Sequence, residues 1–466
     1  MVAALADFVA GASDDQFPPE ARSRAVDAMT DAIGCAIAGS RESVAAAVLS
    51  VVPRHERRAS SGPLLGTPWN SSHTDSALYN GTAAHALDYD DSSHPAYAHP
   101  SAVLVAAFLA FLDRPGITGA DLVSAHIVGV EVFGKLGRAL NQDHARFGWH
   151  PTSTFGAIAA AAAIGRLLRL SAHQVDMAVA IAASSTGGLR ANFGTQTKPV
   201  HAGLAARNGV LAALLAEAGI DGRSDILSHP SGFAQTFNRG GKMELDALRR
   251  WGEELEILTE FGLALKPFPS CAALHPATEA ALQLRGDLDG NCDRIKEIDA
   301  AVPNFAFESL IRKRPGTPTE SRFSLEYSIA VAMLDGNVGL SSFTAERMAD
   351  PALEALMQKV RVVSDERVRD DHEFASVINV VTHEGDRIER LVPLAIGKPG
   401  RWFTKQRLFE KYAECAAAAI DSERAEASFN TLQSIDSPIT GKALLDMFGA
   451  LSPRQEPSMK RAAGMS

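Results

Sequence analysis

The segment from Ser153 to Leu168 limits the possible folds of this chain more than any other. It contains the run AIAAAAAIG, in which almost every side chain is small. Only a helix that its neighbours approach closely on several sides has this composition, so we expect it at the centre of a helical bundle. The low aromatic content, 6%, fits helices that pack through small side chains.

Helical periodicity covers the first half of the chain. Apolar residues recur at i, i+4 spacing from Ala25 to Ile37, and Gly39 ends that helix. The polar segment 53–76 is expected to form an ordered surface loop or a short hairpin. Further helices are predicted at residues 76–86, 102–113, 119–140, 153–166, 171–183, 198–218 and 276–284.

The pattern changes after about Lys266. Residues 294–303, 359–363, 375–382 and 387–393 alternate in polarity or carry β-branched side chains, and HEGD at 383–386 predicts a hairpin turn. Helices are predicted between these strands at 323–334 and 350–358. From Lys405 the helical periodicity returns, and it recurs at 439–451, whereas the tail 452–466 is expected to be disordered. The sequence therefore predicts a mainly α protein with an inserted α+β domain.

Composition excludes several classes of protein. A chain of 466 residues that is 46% hydrophobic can bury a large core, and two domains are expected. The net charge of −10 argues against nonspecific nucleic-acid binding but allows a locally basic pocket. We expect a cytoplasmic protein without a membrane partner, because the N-terminus lacks the features of a signal peptide and no apolar run approaches the roughly 20 residues of a membrane span. The four cysteines lie far apart without a CxxC pair, which argues against a zinc site or a disulfide framework.

Titratable residues crowd the segment from His85 to Ser101. Carboxylates and imidazoles at this density indicate proton chemistry or a bound cation, so we expect an enzyme whose active site begins here. A metal-dependent hydrolase built on His85, Asp88, Asp91 and His99 is one alternative. The titratable residues of the segment are His85, Asp88, Asp90, Asp91, His94 and His99.

Two further segments each combine charged or titratable residues with the start of a helix. In GGLRANFGTQTKPVHAG (187–203), glycines and the hydroxyls of Thr195 and Thr197 precede a helix, which is typical of an anion cradle, and Lys198 adds charge. The spacing is not that of a P-loop. In FGWHPTSTFG (147–156), His150 lies beside a helix start, where a lone histidine is more often structural.

One more candidate segment lies at the predicted domain change, and another lies beyond it. LALKPFPSCAALHP (263–276) places Lys266, Cys271 and His275 around two prolines, and clefts form at such hinges. Cys271 and His275 suggest a thiol nucleophile with its base, although a pair at this spacing is more often core packing plus a cap. In RPGTPTESRFSLEYSIA (314–330), Arg314 or Arg322 can clamp a carboxylate, or either can be an ordinary ion-pair arginine.

Taken together, these segments resemble the MmgE/PrpD family, which includes 2-methylcitrate dehydratase, cis-aconitate decarboxylase and iminodisuccinate epimerase. The matching stretches follow the family's order across nearly the whole chain. They are HALDYDDSSHPAYAHPSAV, GWHPTSTFGAIAAAAA, TQTKPVHAGLAARNGVLAALLA, KPFPSCAALHPA and RFSLEYSIAVAMLDG. The resemblance implies a helical domain from residues 1–267 and 395–466, an α+β lid domain at 268–394, a homodimer, and a site between the domains that holds no metal or cofactor.

The resemblance also implies roles for individual residues. The matches to the polar site residues of the aconitate decarboxylase branch are Asp88, His99, His150, Lys198 and Lys266, with Ser92 where that branch has Thr. We expect substrate contacts from Ser92, Thr197, Cys271, His275, Arg314 and Arg322. Two positions depart from that branch, which has a His at Cys271 and a Tyr at Ile311. The second difference removes a proton donor and argues against decarboxylation of cis-aconitate itself.

The chemistry expected from this family begins at a carbon next to a carboxylate. Removing a proton there leaves an aci-carboxylate, which Lys198, Lys266 and a protonated imidazole can stabilise without a metal. We expect His150 and His99 to transfer the protons and Asp88 to orient the imidazole. The sequence therefore favours a cofactor-free lyase of the dehydratase type that acts on a small di- or tricarboxylate. An epimerase that uses the same proton abstraction comes second, and a metal-dependent hydrolase or a non-catalytic binding protein is less favoured.

Overall fold

Helices make up most of the molecule. The computed structural model describes residues 2–56, 60–303, 310, 314–368 and 375–450. The first helices are α1 (Val2–Gly11), α2 (Pro19–Gly39), α3 (Ser43–Val51), α4 (His73–His85), α5 (Pro100–Leu109), α6 (Gly119–Arg146), α7 (Pro151–Leu167), α8 (Ala172–Ser184), α9 (Thr197–Glu217) and α10 (Phe233–Asn238). They are followed by α11 (His275–Asp287), α12 (Pro318–Ser321), α13 (Leu325–Asp335), α14 (Ala345–Met348), α15 (Pro351–Met357), α16 (Lys405–Ala416), α17 (Ser422–Gln433) and α18 (Gly441–Ala450).

The Ala-rich helix α7 lies at the centre of the bundle, as its composition predicts. Every residue of α7 is buried, and α5, α6, α8 and α9 pack around it. Small residues set these short distances: a Cβ added to Gly209 on α9 would lie 2.4 Å from the Cβ of Ala160. Larger side chains at these positions would push the helices apart.

The crossing of α4 and α9 depends on two glycines. A Cβ on Gly203 would lie 2.2 Å from the carbonyl oxygen of Leu78, and one on Gly81 would lie 2.9 Å from the Cα of Gly203. Only glycine permits backbones to approach this closely. This crossing sets His85, the last residue of α4, within electrostatic reach of Lys198 in the first turn of α9.

A second hydrophobic core belongs to the α+β part of the chain. Its buried residues run from Phe268 to Val392 and include α11 and α13 packed against the sheet. The sheet has the order β4-β3-β5-β6, with β3 and β4 parallel and the other pairs antiparallel. Its strands are β3 (Ile295–Ala301), β4 (Val360–Val362), β5 (Ser376–Thr382) and β6 (Arg387–Val392). The hairpin predicted at 383–386 is confirmed, with Gly385 at φ +93° in the turn.

The C-terminal helices α16 to α18 return to the first core, to which Leu408, Tyr412 and Phe448 belong. The prediction of a mainly α fold with an α+β insertion is therefore confirmed. The segment 53–76 forms the predicted hairpin from β1 (Ser61–Pro63) and β2 (Asn70–Ser72), but β1 is buried, so the segment is not purely a surface loop. The tail 452–466 and Ile311 lie outside the described residues.

None of the described helices is by itself long and apolar enough to span a membrane, although α2 and α3, bent by 83° at their junction, are so as a pair by length and composition.

Candidate active site

A cavity of about 140 Å³ lies between the helical core and the α+β part. Its wall includes residues from the loop after α4, from the starts of α7 and α9, and from the segment around residue 272. Seven of the predicted site residues line it: Asp88, Ser92, His99, His150, Lys198, Lys266 and Cys271. The motifs that are far apart in the sequence thus meet at one site.

Three helices point their N-terminal ends toward this cavity. His99 is the N-cap residue of α5, His150 is the N-cap residue of α7, and Lys198 is the second residue of α9. Pro100 and Pro151 follow the two histidines at the first helical position, where a missing N–H costs nothing and the fixed φ favours helix initiation. Because helix N-termini carry partial positive charge and unpaired N–H groups, this arrangement favours a bound anion.

Asp88 joins two lysines from distant segments. Its Oδ1 accepts hydrogen bonds from Lys198 Nζ at 3.0 Å and from Lys266 Nζ at 2.8 Å. Lys266 also donates to the backbone oxygen of Asp88 at 2.8 Å. Burial alone would raise the pKa of Asp88, but the ammonium groups of Lys198 and Lys266 outweigh it and hold this pKa well below its usual range. Asp88 is therefore a carboxylate that holds two cations in place.

His99 has a defined tautomer. Its Nδ1 lies 2.8 Å from the backbone oxygen of Asp91, and because a carbonyl only accepts, Nδ1 carries the proton. Its Nε2 lies 3.8 Å from Asp88 Oδ1. Burial and the nearby charge of Lys266 lower the pKa of His99 well below its usual value. Near neutral pH the ring is thus neutral with a lone pair on Nε2, as a general base requires.

His150 also lines the cavity, but its partner is another histidine. Its Nδ1 lies 3.0 Å from Nδ1 of His201, and its ring packs edge-on against Phe193. Burial, followed by the charge of Lys198, lowers the pKa of His150 well below its usual value. Although His150 is the N-cap residue of α7, its side chain makes no capping hydrogen bond.

Asp90 and Asp91, which follow Asp88 closely, are hydrogen-bonded to different residues of the protein. Asp91 is hydrogen-bonded to the backbone N–H and the hydroxyl of Ser101, and this hydroxyl lies 2.8 Å from His126 Nε2. Asp90 instead bonds His85 Nδ1 at 2.9 Å. The predicted metal set that included Asp91 is therefore wrong in geometry, because Asp91 is committed to Ser101.

A cluster that could hold an ion does exist with Asp90 in place of Asp91. One potential ligand atom from each of four residues falls within 4.8 Å of the others; the residues are His85, Asp88, Asp90 and His99. However, Oδ1 of Asp88 already accepts from two ammonium groups at 3.0 Å and 2.8 Å. Two positive charges so close to one ligand oppose a divalent cation and favour an anion.

The remaining predicted residues lie away from the cavity wall. The side chain of Arg314 is 73% exposed and lies 4.0 Å from Glu354, so the structure does not bring this residue to the site. Thr197 begins α9 but is exposed, and only its neighbour Lys198 reaches the cavity. Arg322 is buried next to Phe323, and its backbone oxygen accepts from the N–H of Cys271 at 2.9 Å.

The Cys271 and His275 pair does not form a nucleophile with its base. His275 is buried behind the wall, where its Nε2 lies 3.2 Å from the backbone oxygen of Ser270. Burial, followed by the charge of Asp88, raises the pKa of the Cys271 thiol above its usual value. A reactive cysteine needs a lowered pKa, so the suggestion that Cys271 is a thiol nucleophile is wrong.

Several residues of the wall were not predicted from the sequence. Arg190 and Lys398 line it, as do the rings of Phe193 and Phe323, which lie 5.5 Å and 5.3 Å from Lys198 Nζ. Arg190 stands within the glycine-rich segment 187–203 that was singled out for Lys198. Lys398 lies in the sequence GKPG, which predicts a turn but does not indicate a site residue.

Comparison with known proteins places the chain in a family. The model described as MmgE/PrpD N-terminal domain matches residues 3–246, and the model described as MmgE/PrpD C-terminal domain matches residues 268–436. The chain belongs to the MmgE/PrpD family.

Three curated relatives of this MmgE/PrpD protein are informative. A cis-aconitate decarboxylase from Mus musculus is 34% identical over 302 residues, which are 62% of this chain and 60% of the relative's own length. A cis-aconitate decarboxylase from Aspergillus terreus is 26% identical over 453 residues, 90% of each chain. A mitochondrial 2-methylcitrate dehydratase from Yarrowia lipolytica is 25% identical over 362 residues, 73% of this chain and 68% of the relative.

Proposed function

We propose that this protein is a lyase that acts on a small tricarboxylate by transferring a proton at a carbon next to a carboxylate. The named activities of its relatives, decarboxylation of cis-aconitate and dehydration of 2-methylcitrate, support this class of substrate. The cavity supports it independently, through its charge and its imidazoles.

The charge of the cavity wall carries the proposal. The wall contains one carboxylate, Asp88, and four cationic side chains, Arg190, Lys198, Lys266 and Lys398. Burial lowers the pKa of the histidines on the wall, so they add no charge near neutral pH. Cationic side chains therefore outnumber carboxylates on the wall, which favours a polyanionic substrate such as a tricarboxylate.

The two proposed reactions pass through intermediates of the same kind, carbanions that are delocalised into a carboxylate. In dehydration, a base removes a proton from a carbon next to a carboxylate, the electron pair moves into that carboxylate, and hydroxide then leaves. In decarboxylation of a cis-aconitate-like acid, loss of CO₂ leaves an allylic anion that is also delocalised into a carboxylate, and an acid then delivers a proton to the adjacent carbon. Both need cations beside the carboxylate and an imidazole beside the carbon, and Lys198, Lys266, His99 and His150 supply these groups.

We rank decarboxylation of a cis-aconitate-like acid first, because relatives of that name match this chain at up to 34% identity. This similarity outweighs the difference at Ile311, which argues only against cis-aconitate itself as the substrate. Dehydration of a 2-methylcitrate-like acid, which the sequence alone favoured, is the second candidate and is supported by the relative from Yarrowia lipolytica. We further propose that the reaction needs no metal, since the two ammonium groups at Asp88 Oδ1 oppose a divalent cation at this carboxylate.

A substrate panel tests the proposal. Purified protein, with and without exhaustive chelation, is incubated with cis-aconitate, citrate, 2-methylcitrate and iminodisuccinate, and products are followed by NMR. We expect turnover of a tricarboxylate at the same rate in both preparations. Epimerisation of iminodisuccinate alone would favour the epimerase instead. Activity that is lost on chelation and restored by zinc or manganese would contradict the metal-free site.

A further inference from the structure

The pair formed by His150 and His201 is the arrangement that neither the motifs nor the relatives explain. His201 lies three residues after Lys198 on α9, so both side chains lie on one face of that helix. Lys198 and His150 reach the cavity wall, whereas His201 lies behind His150. The Nδ1 atoms of the two rings are 3.0 Å apart, which is a hydrogen-bond distance.

Two facing nitrogens of this kind require one proton between them. Burial lowers the pKa of His201 to about 4, and it lowers the pKa of His150 well below the usual value, so both rings are neutral near pH 7. A neutral imidazole carries its proton on only one nitrogen, and a hydrogen bond between two Nδ1 atoms needs a donor on one side and a lone pair on the other. The tautomers of the two residues are therefore coupled.

Hydrogen bonds also fix the backbones of both histidines. The N–H of His150 donates to the carbonyl oxygen of Gly188 at 3.0 Å, and the hydroxyl of Ser153 donates to the backbone oxygen of His201 at 3.3 Å. Gly188 has φ +118°, and a Cβ there would lie 2.7 Å from the Cβ of Ser153. A residue larger than glycine at position 188 would therefore collide with Ser153.

Resting on the function proposed above, we propose that His201 is a positioning residue whose Nδ1 accepts a hydrogen bond from the Nδ1–H of His150. This hydrogen bond keeps the lone pair of His150 on Nε2 for proton transfer with the substrate carbon. His201 then carries its own proton on Nε2. When His150 acts as base, Nε2 takes the carbon's proton, the C–H electron pair moves into the adjacent carboxylate, and the ring becomes an imidazolium. When it acts as acid, the same proton returns to the carbon, and Nδ1 keeps its proton throughout.

The alternative tautomer would abolish this role. If His201 donated instead, His150 would carry its proton on Nε2 and could act as a base only after rearrangement. A neutral partner also suits this position, because it fixes the tautomer without adding a negative charge to a cavity built for a polyanion. His201 thus holds the proton of His150 on Nδ1, as the backbone oxygen of Asp91 holds the proton of His99 on Nδ1.

Two variants separate positioning from packing. His201→Phe keeps a ring but removes the acceptor, and we expect kcat on the tricarboxylate to fall at least about tenfold with KM nearly unchanged, together with a shifted pH profile. His201→Asn places an amide oxygen near the former Nδ1 and should restore most of kcat. His144→Phe is the matched control: His144 is a buried histidine on α6 that bonds Thr154 Oγ1 at 2.7 Å and does not line the cavity. It should lose stability and keep kcat per folded molecule.

The tautomer itself is read by ¹⁵N NMR of the full-length wild-type protein with labelled histidine, with His150→Gln used for assignment. We expect His150 protonated at Nδ1 and unprotonated at Nε2 near neutral pH. A proton on Nε2, or equal kcat in His201→Phe and wild type, would overturn the role of His201. This readout needs no turnover, so it tests the pair even if the wild type converts no tricarboxylate, an outcome that would refute the proposed function alone.

Discussion

Asp88 organises the candidate site at the scale of single residues. It lies 110 residues from Lys198 and 178 from Lys266 in sequence, yet one of its oxygens holds both ammonium groups. Its backbone adopts a left-handed conformation, φ +52°, which is uncommon outside glycine and occurs at functional sites. Motif matching predicted that these three residues belong to the site. Their mutual contact could not be predicted, because it depends on how the loop after α4 meets the start of α9.

Replacing one lysine tests the role of the cations. Lys266→Met removes a buried ammonium that donates to both the side chain and the backbone of Asp88. Because this charge is proposed to stabilise the aci-carboxylate, kcat should fall by about a hundredfold or more in folded protein. The matched control is Lys135→Met, a buried lysine that lies 3.3 Å from Glu256 and does not line the cavity. It should lower thermal stability and leave kcat unchanged, and near-normal kcat in Lys266→Met would exclude the proposed role.

Asp91 gives the protein a pH-dependent stability. Burial raises its pKa to about 8, against the hydrogen bonds from Ser101 that lower it. The folded protein therefore holds this proton up to about pH 8, whereas the unfolded chain releases it near pH 4, so the stability is full at low pH and is lost as the pH rises between these values. Asp91→Asn keeps the polar contacts without the titration.

Chemical denaturation at several pH values measures this effect. Between about pH 6 and pH 8, we expect the wild type to lose roughly 1 kcal/mol of unfolding free energy per pH unit relative to Asp91→Asn. Parallel pH dependences in the two proteins would show that Asp91 is ionised in the folded state.

At the scale of elements, the site is made from the ends of helices and from one turn. Periodicity located most of the helices, because their apolar faces are buried against a common core. It could not show that the starts of α5, α7 and α9 converge, since this follows from the close crossings at Gly203 and Gly209. The sequence also could not show that Lys398 belongs to the site, because a single lysine between glycines is common in loops.

The turn at Lys398 is held rigidly beside the segment that carries Lys266. Gly397 has φ +89°, its carbonyl oxygen accepts from the N–H of Leu265 at 3.0 Å, and a Cβ there would lie 2.0 Å from the Leu265 oxygen. Only glycine fits this position. The backbone thus fixes Lys398 at the cavity wall, where burial, followed by the charge of Lys398, lowers the pKa of His94.

We expect Lys398 to bind a substrate carboxylate that does not react. Lys398→Met should raise KM for the tricarboxylate by about tenfold or more and change kcat little, because uniform binding is lost. A dicarboxylate analogue that lacks the carboxylate bound by Lys398 should show a much smaller change. Lys405→Met, at an exposed lysine paired with Asp27, is the control. Equal effects on both ligands would remove Lys398 from substrate recognition.

At the scale of the whole molecule, the cavity needs both parts of the chain. The helical core supplies Asp88, His99, His150 and Lys198, and the segments around the α+β core supply Cys271 and Phe323. The order of motifs along the chain identified the family and most of this wall. It misplaced Arg314, which is exposed on the α+β part, because an Arg-Pro motif gives no information on which surface it will occupy.

The central claim is that an imidazole in this cavity moves a proton at a carbon next to a carboxylate, and hydrogen exchange tests it directly. Wild-type protein and His150→Gln are incubated with the tricarboxylate substrate in heavy water. Deuterium at the carbon next to a carboxylate is followed in the product and in the recovered substrate. The folded fraction is measured on the same samples. We predict incorporation by the wild type and a strongly slowed rate in His150→Gln at nearly unchanged thermal stability, since His150 makes no capping hydrogen bond. An unchanged exchange rate in folded His150→Gln would make His150 structural and contradict the mechanism.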